Sequence, residues 1–144
     1  MAEVDDFLAE MLPKVHEMDS AFINGDPGPR LATWSHQDPV TLFGALLNKS
    51  GWGEVGPAFE FLASRFSDGT EYEYKVTAAG ASGDLAYIVG IEHTKASVGG
   101  APPEAFELRV TTVFRREHGT WKIVHRHADP APDSDAARRQ LTRF

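Results

Sequence analysis

The segment Trp121-Lys122-Ile123-Val124-His125-Arg126-His127 places two imidazoles two residues apart. In an extended chain successive side chains alternate sides, so Trp121, Ile123, His125 and His127 are expected on one face and Lys122, Val124 and Arg126 on the other. Histidine, with an ordinary pKa of about 6.5, gives or takes a proton near neutrality, and partial burial lowers that value. His125 and His127 are therefore the first candidates for general acid or base work. The plainer alternative is that both are pocket-rim side chains bonded to backbone or water. A His-x-His pair on a strand also suits zinc or iron, but such a site needs a third ligand, for which Glu92 or His93 is the source. The reading adopted calls for no metal and no cofactor.

Other candidates surround that pair. Arg109 interrupts the apolar run Phe106 to Phe114, and a guanidinium inside a fold must meet a carboxylate or an anionic ligand. Glu92 is the expected internal partner. Tyr87, in Leu85-Ala86-Tyr87-Ile88-Val89, offers a phenol that can hydrogen-bond a carbonyl or enolate oxygen. Tyr87 and Glu92 have opposite parity, so without a bulge only one of them faces inward. Asp129 follows the last strand closely enough to orient His127, or else is an exposed turn carboxylate ahead of Pro130. Trp34, Phe43, Trp52 and Phe59 are expected either to line an apolar ligand cavity or to be simple core.

The elements that must position these residues follow from periodicity. Val4, Phe7, Leu8, Met11, Leu12, Val15, Met18, Asp19, Phe22 and Ile23 recur at three- and four-residue steps, as in an amphipathic helix ended by Asn24-Gly25-Asp26. Pro13 within it predicts a kink or two abutting helices. Pro29 opens a short helix through Leu31 to Trp34, and Val40-Thr41-Leu42-Phe43 reads as a short strand. Asn48-Lys49-Ser50-Gly51 reads as a turn, and Pro57 as the first turn of a helix carrying Val55, Phe59, Leu62 and Phe66, closed by Ser67-Asp68-Gly69. The period then becomes two, with antiparallel strands expected at 70–79, 85–95, 105–116 and 120–127. The expected organisation is one α+β domain over residues 1–130, three N-terminal helices folded onto a curved sheet, and a polar tail at 131–144.

Composition narrows the function classes. The chain has 144 residues, enough for a sizeable core. It contains no cysteine, which removes thiol catalysis and thiolate metal sites. With 21 acidic against 14 basic side chains the formal charge is −7, which disfavours nucleic acid and anionic membrane as partners. The acidic start Met1-Ala2-Glu3-Val4-Asp5-Asp6 and the lack of a long apolar run lead to the expectation of a cytoplasmic protein.

The order helix, short helix, strand, helix and four long strands resembles the cone-shaped fold shared by nuclear transport factor 2 and the ketosteroid isomerases. The closing hairpin sharpens the likeness. Its parts are the Arg-containing strand Leu108-Arg109-Val110-Thr111-Thr112-Val113-Phe114-Arg115-Arg116, the turn Glu117-His118-Gly119, and the Trp-x-x-x-His-x-His strand from Trp121 to His127. This resembles the last hairpin of SnoaL-like, polyketide-cyclase-like members and of the calcium/calmodulin-dependent kinase association domain. Asn24-Gly25-Asp26 is a second match, and the similarity covers about residues 5 to 130. The resemblance implies a pocket, but the Asp base, Tyr and protonated Asp of the isomerases cannot be placed: the first helix lacks Tyr, and Asp38 lies in a loop.

Two functions fit these expectations. The first is an acid/base enzyme of isomerase, cyclase or dehydratase type on a small apolar carbonyl- or hydroxyl-bearing molecule, with His125 or His127 moving the proton and Arg109 or Tyr87 meeting oxyanion charge. The second is a non-catalytic ligand-binding or dimerisation domain. Val110, Thr112 and Phe114 beside Ile88 and Val124 are expected on the outer sheet face, predicting a homodimer through the sheet.

Overall fold

The computed structural model describes residues 2–44, 46–131 and 139. Most of the expected tail at 131–144 lies outside the described residues. Helix α1 (Glu3–Phe22) buries Phe7, Met11, Val15, Met18, Asp19 and Phe22 along one stripe. Its first turn carries Glu3, Asp5 and Asp6, which suit the positive end of the helix dipole. Pro13 does not divide it into two helices. Helix α2 (Gly28–Thr33) has Pro29 in its first turn, and Trp34 has already turned extended.

Strands β1 (Thr41–Gly44) and β2 (Leu47–Ser50) form an antiparallel pair. The expected turn at Asn48 to Ser50 is thus a strand, because pairing with Thr41, Leu42 and Phe43 outweighs local turn preference. Gly51 makes the reversal at φ +87°, and Asp38 accepts a 2.8 Å bond from the Trp52 amide at the start of α3 (Trp52–Ser64). Phe66 belongs to β3 (Phe66–Ser82), which absorbs Ser67-Asp68-Gly69 as an irregularity between Ser67 and Glu71.

The remaining strands are β4 (Leu85–Val98), β5 (Glu104–Glu117) and β6 (Thr120–Pro130). The sheet order is β2-β1-β6-β5-β4-β3, antiparallel except for β1 against β6. This α+β architecture agrees with the expectation.

One sheet face packs on the helices. Phe7 of α1 stands edge-on to Phe114 and Trp121, with centroids 4.8 and 5.1 Å away. Ile88, Val110, Thr112 and Phe114 are buried. Their expected place on an outer patch is corrected: even-numbered residues of β4 and β5 turn toward the helices, and odd-numbered Tyr87, Arg109 and Val113 turn away.

The register of β6 changes midway. Phe114 pairs with Ile123 but Val113 pairs with His125, so Val124 is an extra residue without a partner. Such a bulge reverses the parity of everything beyond it. Trp121 and Ile123 are buried against the helices, and past the bulge it is Arg126 and Ala128 that turn to that side.

Candidate functional site

Between α1, α2, α3 and the sheet lies a cavity of about 70 Å³. Its apolar wall includes Phe22, Leu42, Phe59, Leu62, Val98 and Leu108, and its polar wall Asp19, Arg30, Tyr72, Glu92, Thr94 and Arg126.

Five elements supply the charged part. Asp19 is the polar member of the α1 stripe and is 2% exposed. Arg30 of α2 is ion-paired to it through Nη2 and Oδ1. The Arg30 guanidinium also lies 3.6 Å over the Phe22 ring, a cation–π contact. Tyr72 of β3 places its Oη 2.6 Å from Asp19 Oδ2 and 2.9 Å from Glu92 Oε2. Arg126 of β6 reaches across β5 to β4 and donates Nη1 and Nη2 to Glu92 Oε2 and Oε1, both at 2.9 Å. This fork-on-carboxylate geometry is the strong form of such a pair.

Burial and charge push the two carboxyls apart. Burial, aided by the negative charge of Glu92, raises Asp19 above its ordinary 3.8 despite Arg30. Burial works against ionising Glu92 as well, but the charge and hydrogen bonds of Arg126 prevail and hold it at about 2. Burial, then Asp19 and Glu92, raise the Tyr72 phenol, which stays protonated. A single phenolic hydrogen cannot lie in both of the Tyr72 contacts, and two oxygens 2.6 or 2.9 Å apart with no hydrogen between them repel. The string is satisfied when Asp19 is the carboxylic acid and donates to Tyr72, which donates to ionised Glu92.

The bulge at Val124 decides where the expected site residues lie. His125 and His127 do not enter the cavity, contrary to their expected parity. His125 Nδ1 is 2.7 Å from Thr41 Oγ1, and both rings stand edge-on to Phe43 on the open face, at 5.4 and 5.8 Å. Burial, then the neighbouring His127, lowers the pKa of His125. Arg109 is not inside and does not meet Glu92: its Nε and Nη2 donate to Asp129 at 3.0 Å on the open face. Asp129 accordingly faces Arg109, its cross-strand neighbour.

Tyr87 is 44% exposed on that same face, leaving Glu92 as the inward member of the pair. Phe43 and Phe59 border the cavity. Trp34 is core, edge-on to Phe59 at 4.8 Å, and Trp52 stacks on His36 at 4.0 Å; neither lines the cavity. No group of three or more His, Asp or Glu suited to a metal occurs among the described residues.

Sequence reasoning overlooked Asp19, Arg30, Tyr72 and Arg126 as site residues. Asp19 carried a signal, a carboxylate within an otherwise apolar helical stripe. Arg126 carried none, since its parity inverts at a bulge that local sequence does not mark.

A family model described as SnoaL-like domain matches residues 14–132. No curated protein matches the chain. A proposed dehydratase of the NTF2-like family from Streptomyces avermitilis is similar in structure, with TM-score 0.69, 21% identity and coverage of 88% of this chain and 97% of that one. An NTF2-like protein of unknown function from Pseudomonas putida KT2440 superimposes with TM-score 0.70 at 18% identity, covering 92% of each chain. A proposed calcium/calmodulin-dependent protein kinase type II association domain from Thiobacillus denitrificans gives 0.65 at 20% identity, covering 82% of this chain and 92% of that one. At these identities the likeness is one of fold. No described helix is long and apolar enough to cross a membrane.

Proposed function

Because the chain belongs to the SnoaL-like domain family, we propose that it is a pocket enzyme moving protons on a small carbonyl- or hydroxyl-bearing molecule, by isomerase, cyclase or dehydratase chemistry. The observation that carries this reading is the string Asp19–Tyr72–Glu92 in a cavity otherwise walled by apolar side chains. Two carboxyls whose surroundings drive their proton affinities apart divide acid and base roles between them. Asp19 turns its proton from Tyr72 to substrate oxygen and later recovers it, and the single Tyr72 hydrogen moves from Glu92, which Arg126 still holds, to the oxygen on which charge develops. Arg126 keeps Glu92 ionised, so the string has a direction. The similarity to a proposed dehydratase is in keeping with water loss as one form of this chemistry.

Asp19→Asn and Tyr72→Phe change few atoms. Both variants should keep their circular dichroism spectrum and lose turnover at least a hundredfold across a panel of small hydroxy and oxo compounds. Undiminished turnover in both would overturn the assignment. Binding is favoured over turnover by one observation, that the charged groups pair with one another. Ligand binding without turnover on any panel member would establish that second reading. A second copy against the open sheet face, which presents Tyr87, belongs to the same proposal. Sedimentation showing monomer alone at micromolar concentration would remove it.

A further inference from the structure

The cavity has a large neighbour. A groove of about 770 Å³ runs beside it, with His16, Ser20 and Asn24 of α1 and Glu71 and Glu73 of β3 along its sides. Ile23, Tyr72, Thr94 and Phe106 line both spaces. Three of these four form a row across the sheet, because Tyr72 pairs with Thr94 and Thr94 with Phe106. Ile23, at the C-cap of α1, closes the row from the helix side: a Cβ on Gly69, which borders the groove, would collide with Ile23 Cγ1 and Cδ1.

Tyr72 belongs to the proton string and Thr94 is small, so the bulk of this wall is the side chains of Ile23 and Phe106. Both are buried, at 7% and 5% exposure. Phe106 packs with Leu108, Val110 and Ala128, which fixes its ring in place. The space on the cavity side is small. A cavity of about 150 Å³ accepts benzene, so this one of about 70 Å³ holds about three or four non-hydrogen atoms. The opposite rim lies at Phe43, which is exposed, and Gly44. A methylene beyond those few atoms therefore either meets the wall or stays in water at that rim.

We infer that Ile23 and Phe106 set the length of the substrate: they confine it to a short chain at the proton string and withhold a groove that would otherwise continue the site. The inference rests on the proposed function, which it deepens by giving the substrate a size, but its test reads binding alone. Burying a methylene adds about fourfold in affinity, so a series of increasing chain length reports where the space ends.

Methyl ketones from acetone to 2-octanone are titrated into the full chain and followed by its amide chemical shifts. Wild-type affinity should level off by 2-pentanone. In at least one of Ile23→Ala and Phe106→Ala it should go on rising, about fourfold per carbon, for two carbons or more. A hydroxyl at the far end of 2-octanone should cost that variant about threefold or less, because the groove supplies His16, Ser20, Asn24 and water, whereas a hydroxyl buried unpaired in a closed void loses about tenfold or more. Where the alanine variants do not fold, Ile23→Val and Phe106→Leu should move the plateau by at least one carbon. A rise that continues to 2-octanone in the wild type, a plateau unmoved by either substitution, or a tenfold loss from the terminal hydroxyl would each overturn this inference alone. Absence of any shift change with every ketone in every protein would reject the pocket reading together with it.

Discussion

Asp19 and Glu92 share one phenol: Tyr72 Oη is within hydrogen-bond distance of both carboxyls, although they come from a helix and from a strand of the facing sheet. Their opposite displacements give opposite pH slopes of stability. Glu92 is held at about 2, below its ordinary 4.5, so its contribution is complete above 4.5 and is lost as the pH falls toward 2. Asp19 is raised above 3.8, so stability associated with its proton is lost as the pH rises through that raised value. Urea unfolding between pH 2 and 8 should show a shallower acid limb in Glu92→Gln and a smaller alkaline decline in Asp19→Asn. Slopes identical to wild type in both variants would contradict the network.

Arg126 and His127 are chain neighbours on opposite sheet faces, and their substitution should differ accordingly. Arg126→Ala strands the buried Glu92 carboxylate, a change of about 3–5 kcal/mol. His127→Ala, at an exposed position, should stay within about 0.5 kcal/mol. Equal losses in chemical denaturation would mean that the register beyond Val124 is not as described.

The Glu92–Arg126 pair should behave as a unit. The double variant Glu92→Met with Arg126→Met replaces a buried pair by apolar groups and is expected to be more stable than Arg126→Met alone, by at least about 1 kcal/mol. Additive losses in a double-mutant cycle would count against the pairing.

Gly90 tests the floor of the sheet. A Cβ there would lie 2.3 Å from the Lys75 carbonyl oxygen and 2.8 Å from the Tyr74 ring. Gly90→Ala should therefore destabilise by about 1–3 kcal/mol, as overpacking does. Thermal melts showing no loss would disprove the close approach.

Much of the fold was legible because periodicity survives averaging. The α1 stripe from Phe7 to Phe22 and the alternation through Ile88 and Phe114 each repeat over many residues, so one exception does not hide them. The site was less legible because it depends on single residues at particular parities. Counting by twos from Trp121 leads to His125 and His127, and the count fails at Val124, whose lack of a partner is a property of the pairing with β5. Strand β2 was missed for a related reason, since Asn48, Lys49 and Ser50 are turn formers held extended by their neighbour. Tyr87 and Glu92 stood as alternatives for the inward position, which parity makes exclusive because no bulge lies between them in the pairing of β4 with β5; Glu92 takes it, with Arg126 rather than Arg109 as its partner.

The extra residue at Val124 also separates two design regions within one strand. The turn-side half contributes Trp121 and Ile123 to the core beneath Phe7, whereas the far half contributes Arg126 and Ala128 to the cavity. Libraries restricted to 126 and 128, with 92, 94 and 108 opposite, can therefore vary what the cavity accepts while leaving the aromatic cluster that anchors α1 untouched. Within β6, the cavity lining and the aromatic cluster can be edited separately, provided that 92 and 126 are changed together as a pair.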